Sequence, residues 1–427
     1  MLRRHSFISV LAIGTALFGL AGHAAASTTP PGTASGDPVT ITFWGSYGNG
    51  GNSVQQDALN KTLIPAFEAA HPGIKVEYVD VPYDALLQKI ATSASGDALP
   101  DLIRADLGWV PQFASQGLVL PLSDAMADFS TLAAATYPGS LATNHFQGKY
   151  YGLPLDTNTR VLITSQQALD AAGMKAPPAT FAEFTAMAKA LEGKGMQVFA
   201  DGGLGQWNIL PWIWSNGGAL TDDGLTTATG YLDGAASVEA VQMLVDLYKA
   251  GQIPNLITGN QGATGTSDGL PTAKYATILD GPWMKGIWSG QYPSFQPIYA
   301  QVPAGKAGSV SVVGGEDIVV SSSTAHQAAA LEFVRFTQSE QFQVEMAKTG
   351  QMTVVPAFAA QQASIDPYYE TFATQLTTAK NRLAVPRAGE VDSILSEELT
   401  KAFDVSTTVQ DALTAAAGRV NELLAGK

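Results

Sequence analysis

Apolar residues recur along the first part of the chain with two periods in turn, as strands and helices require. Val39–Trp44 and Ile74–Val81 alternate with period two, and Val54–Ala70 between them has helical spacing and ends at a helix stop, His71-Pro72-Gly73. The same order continues with a helix over Tyr83–Ser95, a strand over Asp101–Leu107 and a helix over Trp109–Gln116. This β-α-β-α-β-α order predicts right-handed crossovers and a mainly parallel sheet covered by helices.

The later pattern predicts a second lobe. Tyr150–Thr164 (YYGLPLDTNTRVLIT) is long and extended, as a passage between two lobes would be. It precedes predicted helices over Gln166–Ala172, Thr180–Glu192 and Ser237–Ala250, strands over Lys274–Leu279 and Ser311–Ser321, a long helix over His326–Thr349 and a mostly helical Val391–Leu424. The predicted fold class is α/β with two lobes, and such folds bind ligands in the crevice at the carboxyl ends of their strands.

Lobe boundaries follow from this order of elements. We assign residues 38–155 to the first α/β lobe and expect roughly residues 311–350 to return to it. Residues 156–310 and 351–427 form the second, helix-rich lobe with the C-terminal helices.

The first residues have the pattern of an export signal. Arg3-Arg4 precede an apolar run over Phe7–Ala21, and Gly22–Ala26 supplies small residues for cleavage. We expect a signal peptide over residues 1–26, followed by a polar, disordered leader over residues 27–37. The apolar run is too short for a stable membrane span and no other stretch of the sequence qualifies, so we expect a soluble mature protein.

Composition narrows the classes of partner. The chain has 427 residues, more than one ordinary core holds, and 46% of them are hydrophobic. A formal net charge of −14 argues against binding nucleic acid or anionic membrane surfaces, which needs positive charge. The chain has 0 cysteines, which excludes disulfides, thiolate catalysis and Cys metal sites, and leaves no Cys for a lipid anchor. We therefore expect a free protein of the periplasm, without a membrane anchor.

Sequence signatures of enzymes are mostly absent. The chain contains no H-E-x-x-H and no Gly-Lys with Walker spacing. We therefore assign no catalytic residue, no metal ligand and no cofactor, and we expect the protein not to be an enzyme. A pair of acids for glycoside hydrolysis stays open, because the separation of two carboxylates is a three-dimensional quantity.

Aromatic side chains are concentrated where predicted elements end. They are Trp44 and Tyr47 after the first strand, Trp109 after Asp106, Trp207 and Trp212 in WNILPWIW, and Trp283 in ILDGPWMKG. In the last stretch Pro282 cannot donate to a ladder and Gly281 permits a sharp turn, which leaves Trp283 at the carboxyl end of a strand. Carbohydrates suit such rings, because stacking of their apolar face adds roughly 0.5–1.5 kcal/mol beyond area burial. Their hydroxyls need polar partners, at about 1 kcal/mol net for each hydrogen bond.

Six stretches together resemble one family. They are ITFWGSYG, IPAFEAAHPGIKVEYVDVPYDALLQKI, SGDALPDLIRADLGWVPQFASQGLVLPL, GKYYGLPLDTNTRVLITS, ATILDGPWMKG and VVGGEDIVVSS. The chain resembles the extracellular, periplasmic solute-binding proteins of ABC importers, specifically the family 1 group of the maltose and multiple-sugar type. The resemblance implies two α/β lobes with hinge crossings, a sugar bound in the cleft, and closure that delivers it to membrane permease subunits. It further implies a monomer.

The resemblance also implies a set of ligand-binding residues. They are Trp44, Ser46, Tyr47, Gly48, Asp84, Asp106 and Trp109 in the first lobe, Asp156 at the crossing, Trp207, Trp212, Asp280 and Trp283 in the second lobe, and Gly314, Gly315, Glu316 and Arg387 in the later segments. Asp106 and Glu316 would accept hydroxyls, Trp283 would stack on the sugar, Gly315 would allow close backbone approach and Arg387 would reach the ligand.

Three hypotheses stand beside sugar binding. One is a polysaccharide-active hydrolase or lyase, which would need a paired acid and base with shifted pKa values. Another is a binding protein for a polyol or a glycerophosphodiester, which the negative charge of the chain disfavours if the ligand is anionic. The third is a ferric iron binder, motivated by Tyr150-Tyr151 and Tyr368-Tyr369.

Overall fold

A computed structural model of the protein describes residues 38–48, 53–96, 98–260 and 262–426. The predicted signal peptide (1–26) and leader (27–37) lie outside the described residues. Among the helices that the structure describes, none is both long enough and apolar enough to cross a membrane.

Strands and helices alternate along the described chain. In chain order the strands are β1 (Val39–Gly45), β2 (Ile74–Asp80), β3 (Leu102–Asp106), β4 (His145–Phe146), β5 (Lys149–Tyr150), β6 (Gly152–Thr159), β7 (Val161–Ser165), β8 (Gln197–Ala200), β9 (Tyr275–Asp280), β10 (Pro297–Ala300), β11 (Val312–Val320) and β12 (Lys380–Asn381). The early helices cover Ser53–Asp57, Ala58–Leu63 (a π-helix), Ile64–Ala70, Tyr83–Ala94, Val110–Ser115, Leu122–Ala125, Phe129–Ala134 and Pro138–Ala142. The middle helices cover Gln166–Ala172, Phe181–Leu191, Gln206–Ser215, Ala235–Lys249, Asn255–Thr258 (a 3-10 helix), Thr266–Gly269 and Met284–Gln291. The late helices cover Gln327–Thr337, Glu340–Ala347, Pro356–Phe358 (3-10), Ala359–Ile365, Tyr369–Leu376, Ala388–Phe403 and Val409–Ala425.

Two mixed sheets define the two lobes. The first sheet has the order β12-β11-β3-β1-β2, and β6 also pairs with β11; the second has the order β10-β7-β9-β8. β1 is parallel to β2 and β3, as the alternating pattern predicted, but β11 runs antiparallel to β3 and β6. The predicted parallel pairing therefore holds for β1, β2 and β3, whereas β11 enters the sheet from the opposite direction and is parallel only to the short β12.

Both faces of each sheet are buried, and side chains alternate between them. In β1, Phe43 packs into one apolar cluster while Trp44 packs against the cluster on the other face. In β7, Leu162 and Ile163 likewise belong to two different clusters. This alternation follows from the period of two in an extended chain.

The single long helix predicted over His326–Thr349 is wrong, because the structure interrupts it. The structure has two helices there, Gln327–Thr337 and Glu340–Ala347. Ser339 separates them because its backbone is extended and its side chain accepts a hydrogen bond from the Phe342 N–H, which makes it the N-cap of the second helix.

The chain first passes between the sheets at Arg160. All of β6, including Asp156, pairs with β11 in the first sheet, and β7 begins the second sheet directly afterwards. The crossing therefore lies about four residues later than the boundary at residue 156 that the sequence suggested. A second passage joins the end of β10 at Ala300 to the start of β11 at Val312.

Candidate ligand-binding site

A pocket lies where residues of both sheets meet, at the carboxyl ends of β1, β3 and β9. Its volume is about 300 Å³. It is lined by Ser46, Gln55, Tyr83, Arg104, Asp106, Asn158, Trp207, Trp283, Ile287, Gly314, Gly315, Glu316, Gln351 and Arg382. Seven of these residues were assigned from the sequence: Ser46, Asp106, Trp207, Trp283, Gly314, Gly315 and Glu316.

Arg104 is the centre of one polar network in this pocket. It stands in the middle of β3, where it is only 4% exposed, and its guanidinium lies over the Tyr47 ring at 4.5 Å from the centroid. Arg104 Nη1 donates to Ser46 Oγ (3.0 Å), and Nη2 lies 3.3 Å from Asp156 Oδ2 and 2.9 Å from Glu316 Oε2. Two carboxylates on β6 and β11 thus neutralise a cation that burial would otherwise make costly.

The carboxyl group of Glu316 has an unusual proton affinity. Burial raises the pKa of Glu316 well above its usual range. Arg104 opposes that rise, while the neighbouring Asp156 adds to it. Glu316 can therefore hold a proton more readily than an exposed glutamate.

Arg382 forms a second charge pair on the same wall. Its Nη2 donates to both oxygens of Asp106, at 2.8 and 3.0 Å. Tyr83 Oη donates to Asp106 Oδ2 (2.7 Å), and the Gly108 N–H donates to Oδ1 (2.8 Å). Asp106 is thereby held in one orientation at the carboxyl end of β3, with its charge matched.

Two tryptophans form the apolar side of the pocket. The rings of Trp207 and Trp283 are stacked, with centroids 6.2 Å apart and planes inclined by 27°. Arg382 lies over the Trp207 ring at 5.7 Å, and both tryptophans are partly exposed. We define Trp207 and Trp283 as the aromatic platform.

Glycines make room for the aromatic platform. A Cβ at Gly281 would collide with the Trp283 ring, and a Cβ at Gly314 would stand 2.6 Å from the Trp207 ring. Gly315 has φ +132°, and a Cβ there would collide with the Asp156 carbonyl. The two rings can therefore lie where they do only because Gly281 and Gly314 have no side chain. At Gly315 the β11 backbone takes a conformation that only glycine adopts easily.

Several predicted residues of the first lobe lie outside the pocket wall. Trp44 packs on the apolar side of the sheet with Lys89 over its ring, and Tyr47 is fully buried beneath Arg104. The Gly48 N–H donates to Asp80 (2.8 Å). Asp84 is exposed in the first turn of its helix, where its negative charge interacts favourably with the positive end of the helix dipole. The Trp109 ring stacks on the Tyr83 ring, with centroids 5.4 Å apart. Asp156 also stands behind the wall, as the partner of Arg104.

Trp212 does not line the pocket, although the sequence predicted it as a ligand-binding residue. Trp212 is 1% exposed and packs among Phe181, Phe184 and Phe199, so it belongs to the core. It follows Trp207 by five residues in one helix, which places the two rings on different faces. Trp214, in the same helix, is also buried in the core.

Asp280 and Arg387 also lie away from the wall. Asp280 accepts a hydrogen bond from the Gly281 N–H (2.8 Å) and adjoins Arg160 behind the aromatic platform. Arg387 forms a surface ion pair with Glu390 (2.6 Å). The arginine of this segment that reaches the pocket is Arg382 instead.

Sequence reasoning missed several lining residues. Arg104 carried a signal, since a single charge inside the buried stretch DLIRADL needs a special environment. Gln55 and Gln351 carried none, because neither their spacing nor their neighbours indicate the cleft. With its amide oxygen turned toward Gln55, Gln351 accepts from Gln55 Nε2 (2.7 Å) and donates to Asp156 Oδ1 (2.9 Å).

β6 and the segment at the end of β12 line two cavities, one on each face. Asn158 and Arg382 line the pocket, whereas their immediate neighbours Thr157 and Asn381 line a second cavity of about 540 Å³. We call it the back cavity. Successive residues of an extended chain point to opposite faces, so these strands form a wall with two sides.

A larger depression, of about 1100 Å³, lies on the second lobe beside Tyr248 and Lys274. Its described lining residues include neither a carboxylate nor a tryptophan. The smaller pocket is the candidate site because it combines aromatic faces, carboxylates and guanidinium groups.

Comparison with known proteins places the chain in a family. The family model for bacterial extracellular solute-binding proteins matches residues 50–344. A binding protein of Brucella abortus (strain 2308) is 26% identical over 366 residues, covering 79% of this chain and 87% of the relative. The chain therefore belongs to the bacterial extracellular solute-binding protein family, which confirms the resemblance predicted from the sequence.

Solved structures show the same fold. The GacH receptor of Streptomyces glaucescens, known unliganded and with acarbose, matches with a TM-score of 0.80 at 23% identity, covering 91% of this chain and 99% of that one. UgpB of Mycobacterium tuberculosis in complex with glycerophosphocholine matches with a TM-score of 0.76 at 20% identity, covering 92% and 99%. The predicted two-lobe α/β class is confirmed, and the fold by itself does not select the ligand.

Arg382→Met should destabilise the protein, and Arg387→Met should not. Removing Arg382 leaves Asp106 without its cation in a buried position, a loss on the order of 3 kcal/mol in unfolding free energy. Arg387 forms a largely exposed ion pair, so its loss should change the unfolding free energy very little. Urea unfolding measures both variants. Adding Asp106→Asn to Arg382→Met should recover part of the loss, and equal effects of the two single substitutions would contradict the assignment.

Asp280→Asn should change how stability depends on pH. Burial raises the pKa of Asp280 from 3.8 to about 6, with Arg160 opposing the rise. Because the folded state holds this proton more tightly than the unfolded chain, its contribution to stability is complete below about pH 4 and is lost as the pH rises through about 6. The advantage of the variant over the wild type in urea unfolding should grow across this range and then level off. A pH-independent difference would refute the shift.

Proposed function

We propose that this chain is the substrate-binding subunit of an ABC sugar importer. It captures a mono- to oligosaccharide in the cleft between its lobes by aromatic stacking and by hydrogen bonds to hydroxyls. One observation carries the proposal: the aromatic platform, Trp207 and Trp283, faces the same pocket as Asp106, Glu316 and Arg382. An apolar ring face beside oriented carboxylates and guanidinium groups matches the two surfaces of a pyranose.

Hydrogen-bonding capacity in the pocket supports a ligand rich in hydroxyls. Asn158 Oδ1 and Arg382 Nε have no hydrogen-bond partner within the part of the chain that the structure describes. Buried polar atoms gain free energy when they find a partner, and a hydroxyl can act as donor to the first and acceptor from the second. Such a ligand binds most strongly when both lobes close around it.

Contacts from two lobes favour binding by closure. Ser46 and Arg104 belong to the first lobe, and the aromatic platform belongs to the second. A ligand that touches both binds a closed form better than an open one and shifts the population toward it. The closed protein then presents a surface to permease subunits. We further propose that the protein acts as a monomer in the periplasm, without a lipid anchor.

An anionic ligand such as a glycerophosphodiester is the second candidate within this class. Arg382 gives both of its bonds from Nη2 to Asp106, and Arg104 lies between Asp156 and Glu316. The two guanidinium groups of the pocket are therefore matched by three carboxyl groups, of which Asp106 and Glu316 line the pocket and Asp156 stands behind its wall. This balance favours a neutral ligand, because the positive charge is already compensated.

Ferric iron binding receives less support from the surroundings of the two tyrosine pairs. Burial raises the pKa of Tyr369 to about 12 and that of Tyr368 further, which opposes the phenolate form that ferric iron binds. Tyr150 and Tyr151 pack against different apolar clusters. A hydrolase could use Glu316 as its acid, so turnover must be measured directly.

A ligand screen tests the proposal. Neutral mono-, di- and oligosaccharides, a uronate and glycerophosphocholine are compared by thermal shift and calorimetry. A bound sugar at a few hundred times its Kd should stabilise the protein by roughly 3–4 kcal/mol, with sugar recovered unchanged by chromatography. A response to glycerophosphocholine alone would replace the sugar with a phosphodiester. Release of shorter sugars over many turnovers would make the protein an enzyme.

Trp283→Ala and Trp212→Ala should separate binding from folding. Trp283 is partly exposed in the pocket, so its loss should abolish sugar binding with little effect on stability. Trp212 is 1% exposed in the core, so its loss should lower the unfolding free energy by roughly 3–5 kcal/mol. Calorimetry with a sugar from the screen and urea unfolding measure the two effects. A comparable loss of stability in both variants would make Trp283 a core residue.

A further inference from the structure

Arg160 stands at the first crossing between the lobes and is 2% exposed. Its backbone carbonyl accepts a hydrogen bond from Ser311 Oγ (2.7 Å), just before β11 begins. The backbone of Arg160 therefore joins the first two passages between the sheets. Its side chain extends into the second lobe, behind the aromatic platform.

One bond of the Arg160 side chain completes the helix that carries Trp207. Arg160 Nη1 donates to the Trp207 carbonyl (3.0 Å). In an α-helix this carbonyl would accept from the N–H four residues later, but that residue is Pro211, which has no N–H. Arg160 thus supplies the donor that the sequence of the helix removes.

Further contacts of the same guanidinium reach the rest of the platform. Arg160 Nη2 donates to the carbonyl of Leu279, in the strand that leads to Trp283. The guanidinium also lies under the Trp207 ring, 5.5 Å from its centroid. A single planar group therefore contacts both segments that carry platform tryptophans, which suits the fixed fork of donors in arginine.

Asp201 holds Arg160 in this orientation. Its Oδ2 lies 2.9 Å from Arg160 Nη2, and its Oδ1 accepts from Asn208 Nδ2 (2.5 Å) and the Gly202 N–H (2.8 Å). Asn208 directly follows Trp207. The ion pair is buried and hydrogen-bonded on both sides, so removal of either partner alone would leave an unmatched charge.

We propose that Arg160 is the positioning residue of the aromatic platform, which it ties to the crossing between the lobes. The inference rests on the proposed function only for its effect on sugar affinity. The position of the two rings can be measured in the protein without a ligand, so the two claims can fail separately.

Two variants separate positioning from folding. The double variant Arg160→Met with Asp201→Asn removes one positive and one negative charge and so leaves the net charge beside Asp280 unchanged. Balanced removal of a buried pair is often nearly neutral for stability. Arg160→Lys keeps the charge opposite Asp201, but an ammonium cannot span two carbonyls and cover a ring. Arg335→Met is the control, because its ion pairs with Asp128 and Glu332 lie on the surface of the first lobe.

The deciding readout is the near-ultraviolet circular dichroism of the stacked tryptophans. Two stacked tryptophans give a pair of bands of opposite sign, called a couplet. The couplet is assigned to Trp207 and Trp283 if it is lost in Trp207→Phe and in Trp283→Phe. We expect the double variant and Arg160→Lys to unfold at urea concentrations close to that of the wild type and to lose most of the couplet, while Arg335→Met keeps it. A couplet that survives in Arg160→Lys and in a folded double variant overturns the proposal, and loss of cooperative unfolding in Arg160→Lys makes Arg160 a structural residue only.

A rescue variant tests the role of the Trp207 carbonyl. Pro211→Ala restores an N–H four residues after Trp207, so adding it to the double variant should recover part of the couplet. No recovery would mean that this bond does not position the ring, and would leave that role to the Leu279 bond and the ring contact.

Calorimetric titration with maltose measures the effect on affinity, and we expect binding about tenfold weaker in Arg160→Lys than in the wild type. Equal affinity despite a lost couplet would overturn the effect on binding but not the positioning of the rings, and failure of the wild type to bind maltose would concern only the proposed ligand.

Discussion

Burial of Arg104 is the constraint on which the pocket depends. A guanidinium in the middle of an apolar strand is tolerated only when carboxylates match it, and here those carboxylates come from β6 and β11. Pairing of Arg104 with Asp156 and Glu316 therefore requires β3, β6 and β11 to lie side by side. The charges that hold β6 and β11 beside β3 therefore include two that line the pocket, Arg104 and Glu316.

Local pattern predicted the elements better than their assembly. The helix Gln166–Ala172 was predicted with its bounds, because its N-cap Ser165 and the glycine after it are both local signals. Pairing of β11 with β3 and β6 joins residues far apart in sequence, and period-two alternation indicates a strand without naming its neighbour. Ser339 was a local signal that the apolar spacing on both sides obscured.

In the pocket, residues tied to a strand end or a glycine turn were predictable. Asp106, Trp283 and Gly314 are of this kind, and the structure brings them to one wall. Arg382 was missed because it reaches the pocket through long-range pairing with Asp106, a contact that leaves no trace in the spacing of its own segment. Trp212 shows the opposite error. It was assigned to the site because it is a tryptophan near Trp207, but five residues along a helix place its ring on a different face.

The two-sided wall has a practical consequence for sensing. Asn381 is exposed and lines the back cavity, although it is adjacent to Arg382 in the pocket. The chain has 0 cysteines, so a single cysteine introduced at Asn381 would be the one thiol available for labelling. A fluorophore attached there would sit outside the pocket, where its emission would respond to the closure of the lobes proposed above. Such a probe would turn the protein into a reagentless optical sensor for whatever it binds.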